Sequence, residues 1–212
     1  MRLDAFLDVV RKADQPVVLL EGTRALPDAE RPALARLARA LATLLPGAIF
    51  RSGNAPGSDA AFVEGVAAVD QRRIEVVLPH PGHRGSWMPR GAYAASINDI
   101  SRQTLRALVA LTGSVTPRHM ALAEKFEPVG SRLPPKPEAI IRLILRDALK
   151  VVGDPDTVLA PATVGIFREN LEDPDAGGTG HTIRCCREMG VPVVLSHDWR
   201  RWLRQMGGAR PS

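Results

Sequence analysis

Five short apolar runs, each closed by turn residues and separated from the next by helix-period sequence, constrain this chain more than any other feature. They are residues 16–20, 48–50, 74–78, 157–159 and 191–195. Their shortness and lack of alternation predict strands buried on both faces. Between them, apolar residues recur at helical spacing: Leu34, Leu37, Ala38, Leu41 and Leu45, then Phe62, Gly65, Val66 and Val69, then Ile141, Ile144, Leu145 and Ala148. A last helix is expected to open at Asp198 as N-cap, with Trp199, Trp202, Leu203 and Met206 on one face. Strands alternating with helices predict βαβ units and right-handed crossovers. The expected fold class is therefore α/β, a doubly wound, mostly parallel sheet.

The 212 residues suit a single domain, 1–212. Residues 79–153 read as an insertion within it, a Pro/Gly/His-rich loop (LPHPGHRGSWMPRG) followed by about three helices that form a cap or added layer. The tail GGARPS is expected to be disordered. Aromatics are only 4%, so the core must rest on Ala, Val, Leu and Ile. The formal charge of +5 favours anionic partners. Its arginines are scattered, except for Arg200, Arg201, Arg204 and Arg210. No apolar run approaches the roughly 18 residues of a membrane span, and the acid-bearing amphipathic start MRLDAFLDVVRKAD is unlike a signal peptide. A cytoplasmic protein with no membrane partner is expected. Cys185 and Cys186 are adjacent in a helical pattern, where side chains diverge by about 100°, so they predict packing and no disulfide.

Ligands of such sheets bind beyond the carboxyl ends of the strands. After the first strand come Glu21, Gly22, Thr23 and Arg24. After the second come Ser52, Gly53, Asn54, Ala55, Pro56, Gly57, Ser58 and Asp59, and after the fourth, at longer range, Gly177, Gly178, Thr179, Gly180, His181 and Thr182. Glycine-rich turns let backbone approach a ligand, and free helix N–H groups favour an anion. The three loops are thus expected to meet at one edge and aim unpaired amides at a phosphate or carboxylate. The competing expectation for the second loop is a plain turn in which Ser58 or Asp59 caps a helix. Arg24 and Arg184 read as phosphate partners or solvated arginines. His181 reads as a phosphate donor, an acid or base near neutral pH, or a structural histidine. Asp59 reads as a ribose ligand, a weak catalytic candidate or a helix cap. His80 and His83 lack a third ligand at recognisable spacing, so no metal is expected. The acidic run Glu169, Glu172, Asp173 and Asp175 reads as a solvated loop or a cation site.

EGTR, RSGNAPGSDAAF and GGTGHTIRCCREMGVPVV, in this order and each after an expected strand, resemble the three signatures of the Smf/DprA and Lonely-guy superfamily, often called SLOG. The resemblance covers residues 16–79 and 155–197, leans toward the DprA-like/YpsA-like branch, and implies a Rossmann-like fold. Ser52, Gly53, Ala55, Gly57 and Asp59 resemble the SG-A-G-D of the DNA-processing branch, which implies loops that hold phosphates of single-stranded DNA. Gly177, Gly178 and Gly180 are similar to the PGGxGTxxE of Lonely-guy enzymes, which cleave the N-glycosidic bond of nucleoside monophosphates. Here Ala176 stands for the proline, His181 for the threonine and Arg184 for the catalytic glutamate. A guanidinium cannot accept a proton, so the substitution keeps phosphate binding and removes that chemistry. The expectation is a protein that binds a nucleotide or phosphorylated nucleotide derivative and needs no cofactor. Single-stranded DNA binding and a nucleoside phosphate hydrolase or transferase are the alternatives. A homodimer is implied by the resemblance alone.

Overall fold

The computed structural model describes residues 1–208; Arg210 and the end of the GGARPS tail lie outside the described residues. In chain order come α1 (Leu3–Lys12), β1 (Val17–Gly22), α2 (Arg31–Leu44), β2 (Ile49–Ser52), α3 (Ser58–Ala67), β3 (Ile74–Leu78) and β4 (Tyr93–Ser96). Then follow α4 (Arg102–Val115), a single turn α5 (Met120–Ala123), α6 (Pro135–Val152), β5 (Val164–Arg168), α7 (Gly177–Glu188), β6 (Val193–Val194) and α8 (Ser196–Gly208). Every strand pairing is parallel, in the order β4-β3-β2-β1-β5-β6. The chain winds outward from β1 to β4, then returns to the other side of β1. The direction of winding therefore reverses between β1 and β5.

The sheet is Rossmann-like and covered on both faces, because successive side chains of a strand point to opposite sides. Val18, Leu20, Val76, Leu78, Val164 and Ile166 join the core formed with α1, α2, α3 and α8. Their neighbours Leu19, Val77 and Phe167 join the opposite core with α4, α6 and α7. Both strand faces are thus apolar, which is why the runs show no alternation. Among the described residues, no helix is long and apolar enough to cross a membrane.

Four segments differ from expectation. Residues 157–159 are not a strand: the Asp154 carboxylate accepts from Thr157 N at 2.8 Å, and Val158 takes a left-handed φ of 57°. That local side-chain bond closes a tight turn, leaving only an antiparallel bridge between Asp154 and Leu159. The strand that pairs with β1 on that side is β5, masked in the sequence by Gly165 and by the charged pair Arg168 and Glu169 at its end. Residues 79–153 also supply β4, whose first two residues are exposed and carry no buried-strand pattern. Finally, α8 opens at Ser196, whose N and Oγ bond the Glu169 carboxylate at 3.0 and 2.8 Å. Asp198 therefore lies inside the first turn and is not the N-cap.

Candidate functional site

Reversal of strand order opens a crevice at the carboxyl ends of the two strands beside it. Here that crevice is a cleft of about 530 Å³ between the loop after β1 and the start of α7. Of the expected residues, Gly22, Thr23, Arg24, Ala55, Asp59, Gly177, Gly178 and Thr179 line it. Ser52, Gly53, Ser58, Gly180, His181, Thr182 and Arg184 do not, while Asn54 and Gly57 line a second groove on the far side of their loop.

In the first two loops the amides of Gly22, Thr23, Gly53, Ala55 and Ser58 are not free. Asp59, 1% exposed at the start of α3, accepts from Gly22 N at 3.1 Å, Gly53 N at 3.2 Å and Ala55 N at 3.3 Å. Thr23 N bonds Arg168 O at 2.9 Å, and Ser58 gives its N and Oγ to Thr23 O at 3.1 and 2.9 Å. These donors, which could have cradled an external anion, are filled by the protein's own carboxylate and carbonyls. A concave set of backbone N–H groups suits any oxyanion, and α3 supplies one in place.

The third loop is different. Residues 177–179 are already the first turn of α7, where N–H groups have no intrahelical acceptor. Ala176, at the N-cap, makes no side-chain cap bond, and intrahelical bonding begins with Gly180 N to Ala176 O at 3.0 Å. The amides of Gly177, Gly178 and Thr179 have no acceptor among the described residues, and all three residues line the cleft. Gly178 must stay small because a Cβ there would sit 2.7 Å from Asp147 Oδ2.

The cleft floor is a buried charge cluster. Lys150 Nζ lies 2.6 Å from Glu21 Oε2 and 2.8 Å from Asp147 Oδ1, and Arg146 pairs with the same Oδ1 at 2.8 Å. Arg146 also donates to Gly53 O at 2.6 Å, which brings its guanidinium against Gly53 and leaves no room for a side chain there. The Thr182 hydroxyl lies 3.1 Å from both Glu21 Oε1 and Gly178 O. Burial raises the Glu21 pKa from 4.5 to about 7; Lys150 opposes this, while Asp147 and Asp59 add to it. Burial also pushes Asp147 upward, but Arg146 and Lys150 outweigh it and hold that carboxyl below its ordinary value. Three carboxylates thus share two cations, and burial with the surplus negative charge raises Glu21, the member of the set whose titration is brought closest to neutrality.

The walls above this floor are of two kinds. Ile140, Leu143 and Ile144 of α6 form an apolar side, and Arg24, Arg118 and His119 stand at the rim. None of α6's contribution was expected, nor was a role for Glu21. The available signal was Arg146, Asp147 and Lys150, three charges placed among the apolar positions Ile144, Leu145, Ala148 and Leu149 of one helix. Charges at such positions are buried, and buried charges need partners.

Two catalytic candidates are placed away from such work. His181 is fully buried, with Nδ1 2.8 Å from Thr116 Oγ1 and Nε2 3.5 Å from Cys185 Sγ. Burial lowers its pKa to about 4, so it is a neutral structural histidine and not an acid or base near pH 7. Asp59 is occupied by three amides. Arg184 is likewise committed: it donates to Val115 O at 2.9 Å, Asp175 O at 2.7 Å and Thr116 Oγ1 at 3.0 Å, bracing α7 against the end of α4. In the acidic run, Glu169 caps α8 instead of facing solvent.

No family model matches the chain, and neither does any of the curated proteins searched. Among solved structures it is similar to DNA processing protein A from Helicobacter pylori, in a structure concerned with that protein's single-stranded DNA binding mode. The similarity spans 99% of this chain and 78% of that one, at 18% identity and a TM-score of 0.47.

Proposed function

We propose that the cleft binds a nucleotide or phosphorylated nucleotide derivative, with a phosphate at the α7 N-terminus and the base against Ile140, Leu143 and Ile144. The observation that carries this reading is the uncapped first turn of α7, whose three amides line the cleft beside Arg118 and Arg24. A helix N-terminus favours an anion through both its free N–H groups and its dipole. A volume of about 530 Å³ suits a ligand of nucleotide size. The buried Asp147 and Glu21 below the amides set the depth: a phosphate that sank past the α7 turn would meet carboxylates, so it stays near the rim arginines.

A thermal-shift panel of nucleoside mono-, di- and triphosphates and nucleotide sugars tests this. A ligand at about a hundred times its dissociation constant adds about 2.7 kcal/mol of stability. Absence of a shift with every phosphorylated compound removes the reading. Single-stranded DNA is the second reading, favoured by the net charge of +5 and by a further groove that shares Ala55 with the cleft. It predicts affinity that falls steeply with added salt.

A further inference from the structure

Tryptophan is a mostly buried residue, and Trp199 and Trp202 follow that habit at 1% exposure each. Trp87 does not: it stands 68% exposed at the end of a short turn in the loop after β3. The Arg84 guanidinium lies over its ring, 5.2 Å from the centroid. Arg84 O in turn accepts from Asn54 Nδ2 at 3.2 Å, so the indole platform is tied to the loop after β2. Between them runs a groove of about 660 Å³, lined by Arg31, Pro56, Val63 and Met88 as well as Trp87 and Arg84. Ala55 lines both this groove and the nucleotide cleft, so the loop of residues 54–57 forms the partition between the two.

We infer that this groove is a second nucleobase subsite, in which a base stacks on Trp87 while the preceding nucleotide occupies the cleft. The ligand class is then two or more nucleotide units joined by a phosphodiester that crosses the 54–57 loop. The inference rests on the cleft reading above and adds to it. An exposed indole offers a stacking face to any base, and the guanidinium on its ring strengthens the platform. Arg84 provides a cation for the backbone, Arg31 is paired with Glu64 at 2.8 Å in the same groove, and Val63 and Met88 give the base an apolar floor. Continuity with the cleft selects a nucleic-acid-type occupant over an unrelated peptide.

The test is a fluorescence titration of the wild type, Trp87→Ala and Trp87→Phe with thymidine monophosphate, 5′-phosphorylated dithymidylate and an oligothymidylate of about eight nucleotides. With the other two tryptophans buried, ligand-dependent quenching in the wild type reports on Trp87, and a parallel thermal shift reads the binding of each ligand by all three proteins. The longer ligands are expected to bind about tenfold tighter than the monophosphate; Trp87→Ala erases that gain and Trp87→Phe keeps part of it. A gain complete at the dinucleotide marks a small-molecule ligand, and one that grows with length marks a single strand. Equal binding of the longer ligands by wild type and Trp87→Ala, with the monophosphate still bound, overturns the subsite and leaves the cleft reading intact. Absence of monophosphate binding, with oligothymidylate binding still dependent on Trp87, removes the cleft reading and with it the two-site ligand, leaving Trp87 as a lone stacking site. Both fall if no ligand produces a signal.

Discussion

The loops after β1 and β2 and the loop before α7 have the same local chemistry and opposite outcomes. Glycines sit at the last residue of β1, in the loop after β2 and in the first turn of α7, and both groups face the reversal point of one parallel sheet. Yet the amides of Gly22, Gly53 and Ala55 close on Asp59, while those of Gly177, Gly178 and Thr179 stay open to the cleft. The first group is a nest that holds its own anion and so fixes the loop geometry. The second is a nest left for a ligand. Glycine content measures how closely backbone is approached, and says nothing of whether the visitor is foreign.

The largest break in this comparison comes from Asp59→Ala. It leaves two buried amides and one half-buried amide without an acceptor, and Arg146 without one of its compensating carboxylates. A loss of about 3–5 kcal/mol is expected, read as a lower urea midpoint with an unchanged slope. A loss under about 1 kcal/mol would mean the closed nest is no different from the open one.

Next in size is the pH dependence. Glu21 titrates near 7 in the folded protein against 4.5 ordinarily, so its contribution is complete below pH 4.5 and is lost as pH rises through 7. By linkage this is worth about 3 kcal/mol. His181, at about 4 against 6.5, works in the opposite sense: its contribution is complete above pH 6.5 and lost as pH falls through 4. The two slopes offset each other between pH 4.5 and 6.5 in the wild type. Glu21→Gln removes one of them, so stability measured by denaturation should rise steadily with pH across that window. A mutant profile with the same slope as the wild type's would show that Glu21 is not held protonated beneath the open nest.

Arg118→Ala sharpens the comparison from the ligand side. Arg118 stands exposed at the rim beside α7, so its removal should change stability by less than about 0.5 kcal/mol. Affinity for the best phosphorylated ligand should fall about tenfold, as expected for a lost charge-assisted contact. Unchanged affinity in a direct titration places the phosphate elsewhere. The smallest effect is expected for Thr182→Val, which removes the hydroxyl between Glu21 and Gly178 and should cost about 1 kcal/mol by chemical denaturation.

Much of the scaffold was legible. The runs at 16–20, 48–50 and 74–78 became β1, β2 and β3, and the run at 191–195 contains β6, because strands buried on both faces announce themselves by composition. β5 was not legible where it lies, since a glycine and a terminal Arg-Glu break its pattern, whereas residues 157–159 looked like a strand and are held in a turn by Asp154. Of the site, the sequence pointed to the loops that reach the cleft. It placed Arg146, Asp147 and Lys150 among apolar positions of one helix but did not show what they meet on other elements: Arg146 meets Gly53 across 93 positions, and Lys150 meets Glu21 across the cleft floor.

By itself, then, the sequence determined the alternation of strands and helices and the position of flexible turns at strand ends. Periodicity and glycine placement are local properties, written within a few residues of where they act. Only the tertiary structure decided which amides are free. An N–H is satisfied or open according to whether an acceptor arrives from elsewhere, and Asp59 reaches Gly22 from 37 positions away. The same holds for the proton on Glu21, which depends on burial and on charges that α6 brings to it. Hydrogen-bond satisfaction and charge balance are sums over neighbours in space, and those neighbours exist only once the sheet has closed.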